Sequence, residues 1–248
     1  MSEHRPQPSR PVAVVTGATR GIGLAVAEDL ADTHHVVVGG RSAGSVASVV
    51  DRLPSAEGLV ADLADCSPGG SLESALEALV PRLDRVDVLV HSAGVLRSGT
   101  VADSPVSDWA ESLTVNVTAV AAVTRALLPA LRRAHGLVIT VNSGSGLTAS
   151  PASGAYCASK FALRALTDSL RQEEREHGVR VTSLHPGRVD TDMQHELVAF
   201  EGAEYDASAY LDVRSVVRAA RLAIDAGEDA SVDMVSVRPR GWRPRTSA

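Results

Sequence analysis

Short apolar runs alternate with longer stretches rich in alanine and leucine along almost the whole chain. The run Val12–Thr16 (VAVVT) is apolar nearly throughout, which is typical of a strand covered on both faces. Helix-length stretches separate successive runs, as crossover connections between parallel strands require. The pattern therefore predicts an α/β fold, a doubly wound sheet of seven parallel strands with helices on both faces.

The predicted elements follow one another without a break that would separate two domains. The predicted strands span residues 12–16, 36–38, 58–61, 86–90, 137–141, 179–184 and 232–237. The predicted helices span residues 24–31, 45–53, 71–79, 108–133, 155–177, 191–200 and 213–226, with Gly178 as the C′ residue of the fifth. We expect one domain over residues 11–239, between a polar tail at 1–10 and a basic tail at 240–248.

Composition and charge exclude several classes of protein. The chain has 248 residues, 44% of them apolar, and its formal net charge of −6 disfavours a general electrostatic grip on nucleic acid or anionic lipid. No apolar run reaches membrane-spanning length, and the first residues lack the apolar centre of a signal peptide. The two cysteines, Cys66 and Cys157, fit a reducing compartment. We therefore expect a cytoplasmic protein without a nucleic-acid or membrane partner.

Ligands of a doubly wound sheet bind beyond the carboxyl ends of the strands, so the residues after each strand are the candidates. These are residues 17–23, 40–41, Asp62, 91–94, Ser143 and 186–187. The first segment is a G-x-x-x-G-x-G turn before the first helix. Glycines allow a sharp turn and close approach to a ligand, and the helix N-terminus offers N–H groups to a pyrophosphate. The turn alone is a weak signal, but its place after the first strand favours nucleotide binding.

The end of the second predicted strand indicates which nucleotide is preferred. Residues 39–42 read GGRS, without the carboxylate that binds the ribose 2′-OH of NAD. Arg41 offers a guanidinium suited to a phosphate, and Arg20 in the glycine turn can reach the same region. Two cations and no anion favour NADP(H) over NAD(H), the alternative being that both arginines are merely solvated.

Four polar residues are candidates for catalysis. Tyr156 and Lys160 are four residues apart and share a helix face, and a cation about 4 Å from a phenol favours phenolate by roughly 4 kcal/mol at an effective dielectric constant near 20. Such a cation would lower the Tyr156 pKa toward that of a working acid or base. Ser143, with Ser145 as its rival, can donate a hydrogen bond to a substrate carbonyl oxygen. Asn116 interrupts an apolar helical stretch, as a buried network member or a helix-kink residue. We predict no metal site.

Together these residues resemble the compact, single-domain subgroup of the short-chain dehydrogenase/reductase family, over about residues 12–239. The motifs are TGATRGIG at 16–23, DL at 62–63, HSAG at 91–94, NV at 116–117, Ser143, YCASK at 156–160 and PGRVDTDM at 186–193. The resemblance implies a Rossmann-like fold and an NADP-dependent oxidoreductase that transfers a hydride between nicotinamide and a carbonyl or alcohol substrate. The chain departs from the family at His91-Ser92, where two asparagines are common.

The resemblance also implies a role for each site residue. Tyr156 is the general acid of carbonyl reduction or the base of alcohol oxidation, and Lys160 holds the nicotinamide ribose and favours phenolate. Ser143 polarises the carbonyl, and Asn116 anchors a water that links Lys160 to bulk solvent. The implied cofactor contacts are Gly17, Thr19, Arg20, Gly21, Ile22, Gly23, Arg41, Asp62, Leu63, His91, Ala93, Gly94, Tyr156, Lys160, Pro186, Gly187, Val189 and Thr191.

The segment 192–212 is expected to form a substrate lid, because it concentrates aromatic residues such as Phe200, Tyr205 and Tyr210 in a chain that is only 3% aromatic. We predict a small or medium apolar carbonyl substrate, since the lid carboxylates disfavour a strongly anionic one. A solvated helix pair with ordinary core contacts is the alternative. The arginines at 238, 240, 243 and 245 indicate a solvated tail, or a contact with a partner or cofactor phosphate.

Assembly and two other function classes complete the predictions. The resemblance implies a homodimer or homotetramer through the helices at 108–133 and 155–177. A catalytically silent NADP-binding sensor is a competing function, and the intact set of Ser143, Tyr156 and Lys160 argues against it. An epimerase or dehydratase is another, which usually goes with a longer C-terminal substrate domain.

Overall fold

The computed structural model describes residues 10–241, and seven strands within that range form one parallel sheet. The strands are β1 (Val12–Thr16), β2 (His35–Gly40), β3 (Ala56–Val60), β4 (Val88–His91), β5 (Leu137–Val141), β6 (Arg180–Pro186) and β7 (Met234–Val237). The prediction of a doubly wound, Rossmann-like parallel sheet is therefore confirmed. The expectations for the tails at 1–9 and 242–248, including Arg243 and Arg245, lie outside the described residues.

Helices cover both faces of this sheet. They are α1 (Gly21–Leu30), α2 (Ala43–Val50), α3 (Ser71–Leu79), α4 (Val106–Leu113), α5 (Ala119–Ala134), α6 (Gly154–Glu173), α7 (Asp192–Phe200) and α8 (Val213–Ile224). Short 3₁₀ turns lie at Val80–Arg82, Gly144–Gly146, Arg175–His177 and Ala207–Ala209.

The strand order is β3-β2-β1-β4-β5-β6-β7. Strands β2 and β3 therefore extend the sheet on one side of β1, and β4 to β7 extend it on the other. Where β1 meets β4, the carboxyl ends of the two strands lie side by side, with Thr16 opposite His91. A crevice for a ligand forms at such a switch point. The fold thus brings the glycine turn after β1 next to residues 91–94.

Two apolar layers explain why the strands are apolar throughout. Successive side chains of β1 point to opposite faces of the sheet. Ala13 and Val15 belong to the cluster that includes α1 and α8, whereas Val12 and Val14 belong to the cluster that includes α3 and α5. Both faces of the strand are therefore removed from water, as the sequence pattern predicts.

The long helix predicted at 108–133 is divided into three parts. Helix α4 ends at Leu113, a π-helical turn spans Thr114–Thr118, and α5 continues to Ala134. A π-helical turn inside an α-helix is rare and frequently lies at a functional site. This turn contains Asn116, the residue that the sequence singles out in this helix.

The expectation that no apolar segment reaches membrane-spanning length is wrong for this helix. The 29 residues Val106–Ala134 are long and apolar enough to cross a membrane by length and composition. However, Val123, Leu127 and Leu131 on this helix are buried in the core cluster that includes β1. Packing inside the fold therefore accounts for its apolar character.

The ends of several elements differ from the prediction by a few residues. Helix α6 ends at Glu173 and is followed by a 3₁₀ turn, after which Gly178 adopts φ +72°, the conformation expected of a C′ residue. Strand β7 begins at Met234, two residues later than predicted, and the carbonyl of Val232 accepts a hydrogen bond from the Thr182 hydroxyl instead of joining the strand. Cys66 and Cys157 are both free thiols.

Candidate active site

The glycine turn between β1 and α1 is built for close contact with an anion. Gly17 and Gly21 have φ values of +65° and +55°, which glycine adopts most easily. A Cβ at Gly17 would lie 2.7 Å from the main chain of Ala93, so the turn packs directly against the residues that follow β4. Helix α1 has no side-chain cap and no acidic residue in its first turn. Its first N–H groups are therefore available to a phosphate.

The two arginines expected at the 2′ position lie in different places. Arg41 directly follows β2 and is exposed, and no carboxylate lies within 4.0 Å of it among the described residues. The Arg20 guanidinium instead lies 3.3 Å from the Asp192 carboxylate at the start of α7, and both side chains are 67% exposed. Exposed ion pairs of this kind contribute little free energy, so this contact is easily exchanged. The structure thus leaves Arg41 as the cation at the end of β2.

Tyr156 and Lys160 lie one turn apart at the start of α6, and both are buried, with 8% and 4% of their surfaces exposed. The Lys160 Nζ atom lies 5.7 Å from the centre of the Tyr156 ring and donates a hydrogen bond of 3.0 Å to the carbonyl of Val141. Val141 ends β5, and Ser143 follows two residues later. The fold therefore brings the predicted phenol, ammonium and hydroxyl to one edge of the sheet.

Burial dominates the protonation of these groups. Burial raises the pKa of Tyr156, while the Ser143 hydroxyl lowers it. Burial also lowers the pKa of Lys160 to about 8. The pKa of Tyr156 is thus raised overall, opposite to the direction expected from the sequence, because the desolvation of the phenolate outweighs the hydrogen bond with Ser143.

Ser143 is held so that its hydroxyl proton remains available. The Ser143 Oγ atom accepts a hydrogen bond of 3.1 Å from the Ser145 N–H. Because a hydroxyl has one proton to donate, that proton is left for another acceptor beside Tyr156. The rival Ser145 thus contributes its main chain to the orientation of Ser143.

Asn116 is both a buried network member and the site of a helix irregularity. Its Oδ1 atom accepts a hydrogen bond of 2.9 Å from the Val95 N–H. Its Nδ2 atom donates to the Val95 carbonyl at 3.0 Å and to Ser159 Oγ at 2.9 Å. A Cβ at Gly94 would lie 3.1 Å from Asn116 Oδ1 and 3.7 Å from Lys160 Nζ. Asn116 therefore links the loop after β4 to helix α6 beside the lysine.

His91 departs from the family pattern, and its side chain is committed to the core. The ring is 2% exposed and its Nε2 atom lies 2.9 Å from the Thr124 Oγ1 atom on α5. Burial lowers the pKa of His91 to about 3, so the imidazole is neutral near pH 7. Only the main chain of His91 is left for the crevice. The next two residues do line the glycine turn, since Ser92 Oγ lies 3.1 Å from the Cβ position of Gly23 and the Ala93 N–H donates to Thr16.

The remaining cofactor candidates lie in the loops after β3 and β6. Asp62 follows β3, where its carboxylate accepts a hydrogen bond from the Ala64 N–H, and Leu63 packs against the core. After β6, Gly187 donates its N–H to the Val237 carbonyl at 2.7 Å. Thr191 is the N-cap residue of α7, and its methyl group lies 3.4 Å from the Cβ position of Gly21. The segment after β6 thus closes over the glycine turn.

Two residues that sequence reasoning missed fix the main chain around Ser143. Asn142 accepts the Ser143 N–H at 2.9 Å and donates to the Lys160 carbonyl at 3.2 Å. The fully buried His185 places Nδ1 2.8 Å from the Ser143 carbonyl and Nε2 2.8 Å from Ser183 Oγ. The main signal in the sequence is that each is a polar residue at the carboxyl end of an apolar strand.

The segment 192–212 separates into a cleft-lining part and a self-packing part. Leu197 and Phe200 line a cleft of about 190 Å³ opposite Leu96 and Ser98. By contrast, the Tyr205 ring stacks on His195 with 3.5 Å between ring centres, and its hydroxyl donates to Asp190. The Arg188 guanidinium lies 5.4 Å from the Tyr210 ring. Of the three aromatic residues expected to face substrate, only Phe200 lines the cleft.

Comparison with known proteins identifies the family. The profile of the short chain dehydrogenase family matches residues 11–202. This chain belongs to that family. An uncharacterized oxidoreductase of Staphylococcus saprophyticus is 32% identical over 232 residues, which cover 92% of this chain and 97% of the relative. The protein is thus an oxidoreductase of the short-chain dehydrogenase family, as its motifs predict.

Two solved structures of this family superpose closely on the chain. A variant of actinorhodin polyketide ketoreductase, solved with NADPH, has a TM-score of 0.84 at 26% identity and covers 95% of this chain and 98% of its own. A gluconate 5-dehydrogenase from Burkholderia cenocepacia, solved with NADP and tartrate, has a TM-score of 0.81 at 26% identity and covers 94% and 95%. The short-chain dehydrogenase fold therefore spans almost the whole described chain.

Proposed function

We propose that this protein is an NADP(H)-dependent oxidoreductase that transfers a hydride between nicotinamide and a carbonyl or alcohol substrate, with Tyr156 as the general acid or base. The observation that carries the proposal is the convergence of Ser143, Tyr156 and Lys160 at the carboxyl edge of the sheet, beside an uncapped helix N-terminus. The two solved relatives contain NADPH and NADP. A silent NADP-binding sensor would have no use for these three side chains. The similarity to oxidoreductases does not favour a sensor either.

The residues around the crevice fit a dinucleotide with a 2′-phosphate. The free N–H groups of α1 and the glycine turn suit the pyrophosphate, and the Arg41 guanidinium suits the 2′-phosphate. In this proposal the cofactor contacts are those inferred from the motifs, with two adjustments. His91 contributes its main chain only, and Arg20 must leave Asp192 before it can contact the cofactor.

When bound, the cofactor supplies or accepts the hydride at its nicotinamide ring. The residues of the chain control the proton and the charge on the substrate oxygen. In reduction, the Ser143 hydroxyl donates a hydrogen bond to the carbonyl oxygen, and Tyr156 donates its proton to that oxygen as negative charge develops there. In oxidation, the Tyr156 phenolate accepts the proton of the alcohol. The raised pKa of Tyr156 keeps the phenol protonated at neutral pH, which is the form that reduction needs.

Lys160 and Asn116 support the tyrosine. The Lys160 ammonium has three donors, and the carbonyl of Val141 takes one of them. The other two are free to hold a ribose hydroxyl and to stabilise the phenolate as it forms. Asn116 Oδ1 retains a second lone pair beside Lys160, where a water can bind and return protons to the site.

The test is a panel of ketones and alcohols with NADPH and NADH, on the wild type and on Tyr156→Phe. We expect turnover with NADPH, and a fall in kcat of at least about 100-fold in Tyr156→Phe because the proton donor is removed while the ring still packs. Tyr205→Phe is the matched control, since that hydroxyl binds Asp190 outside the catalytic cluster. Turnover that survives unchanged in Tyr156→Phe would refute the assigned role.

The remaining features of the proposal concern location and assembly. We propose that the protein works in the cytoplasm, where Cys66 and Cys157 stay reduced, and that it forms a homodimer or homotetramer. The apolar cleft side formed by Leu197 and Phe200 supports a substrate with an apolar portion, for which the 192–212 segment acts as a lid.

A further inference from the structure

Arg238, the first residue after β7, brings its guanidinium to the turn that carries Ser143. A Cβ placed on Gly144 would lie 3.1 Å from Arg238 Cζ and 3.2 Å from Nη2, and would overlap Nη1. The guanidinium therefore lies against the main chain of Gly144, the residue next to Ser143. Gly187 makes room from the other side, since a Cβ there would lie 3.3 Å from Arg238 Cδ. Two glycines at the ends of β5 and β6 thus form the seat for this arginine.

Arg238 also keeps its charge uncompensated, unlike three arginines that lie in the glycine turn, on the cleft wall and in the loop after β6. Those arginines pair with carboxylates: Arg20 with Asp192, Arg97 with Glu111 and Arg188 with Glu201. Within residues 10–241, no carboxylate lies within 4.0 Å of the exposed Arg238 side chain. A guanidinium that touches the catalytic turn and lacks an ionic partner is suited to an anionic group of the substrate.

The charges near the Ser143 turn are positive, whereas the cleft wall on α7 carries a carboxylate. Burial lowers the pKa of His185, which contacts the Ser143 carbonyl, and the positive charges of Arg164, Arg238 and Lys160 lower it further. Glu196 on α7 lines the cleft together with Arg97, whose charge is paired with Glu111. A substrate with one anionic and one apolar end is therefore oriented with its anionic end toward β7.

We propose that Arg238 is a specificity-determining residue that binds a carboxylate close to the reacting carbonyl, so that the substrate is an oxo acid with an apolar tail. A carboxylate on the carbon next to the carbonyl, or one carbon further, reaches Arg238 while the carbonyl oxygen lies at Ser143 and Tyr156. Leu197 and Phe200 then receive the tail. This inference rests on the proposed function, and it replaces the expectation of a wholly apolar substrate.

The experiment compares acids with their neutral esters on the full-length protein. The kcat/KM values are measured with NADPH for 2-oxohexanoate, 3-oxohexanoate and their methyl esters, on wild type, Arg238→Gln and Arg238→Lys. We expect the wild type to prefer the acids and Arg238→Gln to lower their kcat/KM by about 10- to 100-fold, mainly through KM, as loss of a charge-assisted hydrogen bond predicts. The esters should change less than about twofold, and Arg238→Lys should retain an intermediate value. Arg240→Gln is the matched control, because it removes an equal charge two residues further on.

Several results would overturn the inference. One is an equal kcat/KM of the wild type for acid and ester. Another is an equal loss of kcat/KM on acid and ester in Arg238→Gln, which would mean that Arg238 only supports the Ser143 turn. The same selective loss in Arg240→Gln would mean that the change in net charge, and not a contact with Arg238, causes the effect.

Calorimetric titration of the protein and NADP⁺ with 2-oxohexanoate separates this inference from the proposed function, because the oxidised cofactor cannot reduce the acid. Arg238-dependent binding without reduction of any carbonyl would keep Arg238 as a carboxylate-binding residue but would refute the proposed function and, with it, the assignment of an oxo-acid substrate. Reduction of esters without binding of the acid would refute the inference alone. Absence of both binding and reduction would refute both.

Discussion

Lys160 carries an ammonium group that the fold buries to 4% exposure with a single main-chain acceptor. Burying a charge costs free energy unless partners compensate for it, and here the cost appears as a pKa lowered to about 8. A protein that needed only stability would place an apolar residue at this position. The lysine therefore reflects a functional requirement that opposes stability.

Replacing Lys160 with methionine should make this cost visible in the pH dependence of stability. Below about pH 8 the lysine is protonated in the folded and the unfolded state, and the folded state bears the full free-energy cost of the buried charge. Between about pH 8 and the usual lysine pKa of 10.5, the unfolded state binds more protons than the folded state. The free energy of unfolding of the wild type should therefore rise over that window, and Lys160→Met should lack the rise. Urea unfolding of the cofactor-free protein between pH 7 and 10 measures both, and parallel curves would contradict the burial of a charged lysine.

Arg41 determines the cofactor preference if the 2′-phosphate binds at the end of β2. Arg41→Asp should raise the KM for NADPH by about 10- to 100-fold, because a charge-assisted contact is lost and a repulsive charge is introduced. The KM for NADH should change much less, since that cofactor has a hydroxyl at the 2′ position. An equal loss with both cofactors would indicate damage to the fold, which a thermal unfolding curve of the variant would reveal.

The sequence singled out three polar groups that the fold brings together, but it did not reveal the side chains that support them. Ser143, Tyr156 and Lys160 were singled out because they occur together, each after a predicted strand or at a helix start, with the other motifs of the family. Asn142 and His185 escaped notice because each acts through bonds to the main chain near Ser143. Such a role depends on which carbonyl or N–H lies opposite a side chain after folding, and spacing along the chain does not specify it.

At the level of elements, the π-helical turn Thr114–Thr118 places Asn116 where an α-helix would not. The sequence indicated Asn116 as a network or kink residue, and both descriptions hold. It did not predict the division into α4 and α5, because one irregular turn hardly changes the apolar pattern of a long helix. Strand β7 was predicted to begin two residues too early, where the Val232 carbonyl accepts a hydrogen bond from the Thr182 hydroxyl.

Asn116→Ala should destabilise the protein, because three hydrogen bonds to Val95 and Ser159 are lost inside the core. We expect a loss of about 2 kcal/mol, or a fall in Tm of roughly 4–8 °C for a domain of this size. Thr118→Ala is the control, since that exposed residue lies in the same turn. Differential scanning calorimetry compares the two variants, and equal Tm values would show that the Asn116 network adds no stability.

For the whole molecule, the assembly predicted through the two long helices matches an apolar surface. Leu113 on α4 and Phe161 on α6 are each 41% exposed, on the side of the sheet that carries α5. Exposed apolar groups of this size are often covered by a partner. Leu222 on α8 is exposed as well, but it lies on the opposite face of the sheet.

Phe161→Glu should disrupt a dimer or tetramer formed through α4–α6, because burying an unpaired carboxylate in an interface is costly. We expect light scattering of the variant to give a smaller species than the wild type, with a lower limit at the monomer mass of 25.8 kDa. Leu222→Glu places the same charge on the opposite face of the sheet and should leave the assembly intact. A monomeric wild type, or dissociation by Leu222→Glu alone, would contradict this interface.

The segment 192–212 is braced by contacts within itself and with Arg188 and Asp190 just before it. Tyr205 holds Asp190 and His195, and Arg188 holds Glu201, while Leu197 and Phe200 project into the cleft. Those two side chains can consequently be exchanged during evolution without loosening the frame that carries them. We therefore expect relatives with other side chains at positions 197 and 200 to differ in the molecules that enter the cleft, while Ser143, Tyr156 and Lys160 keep their places.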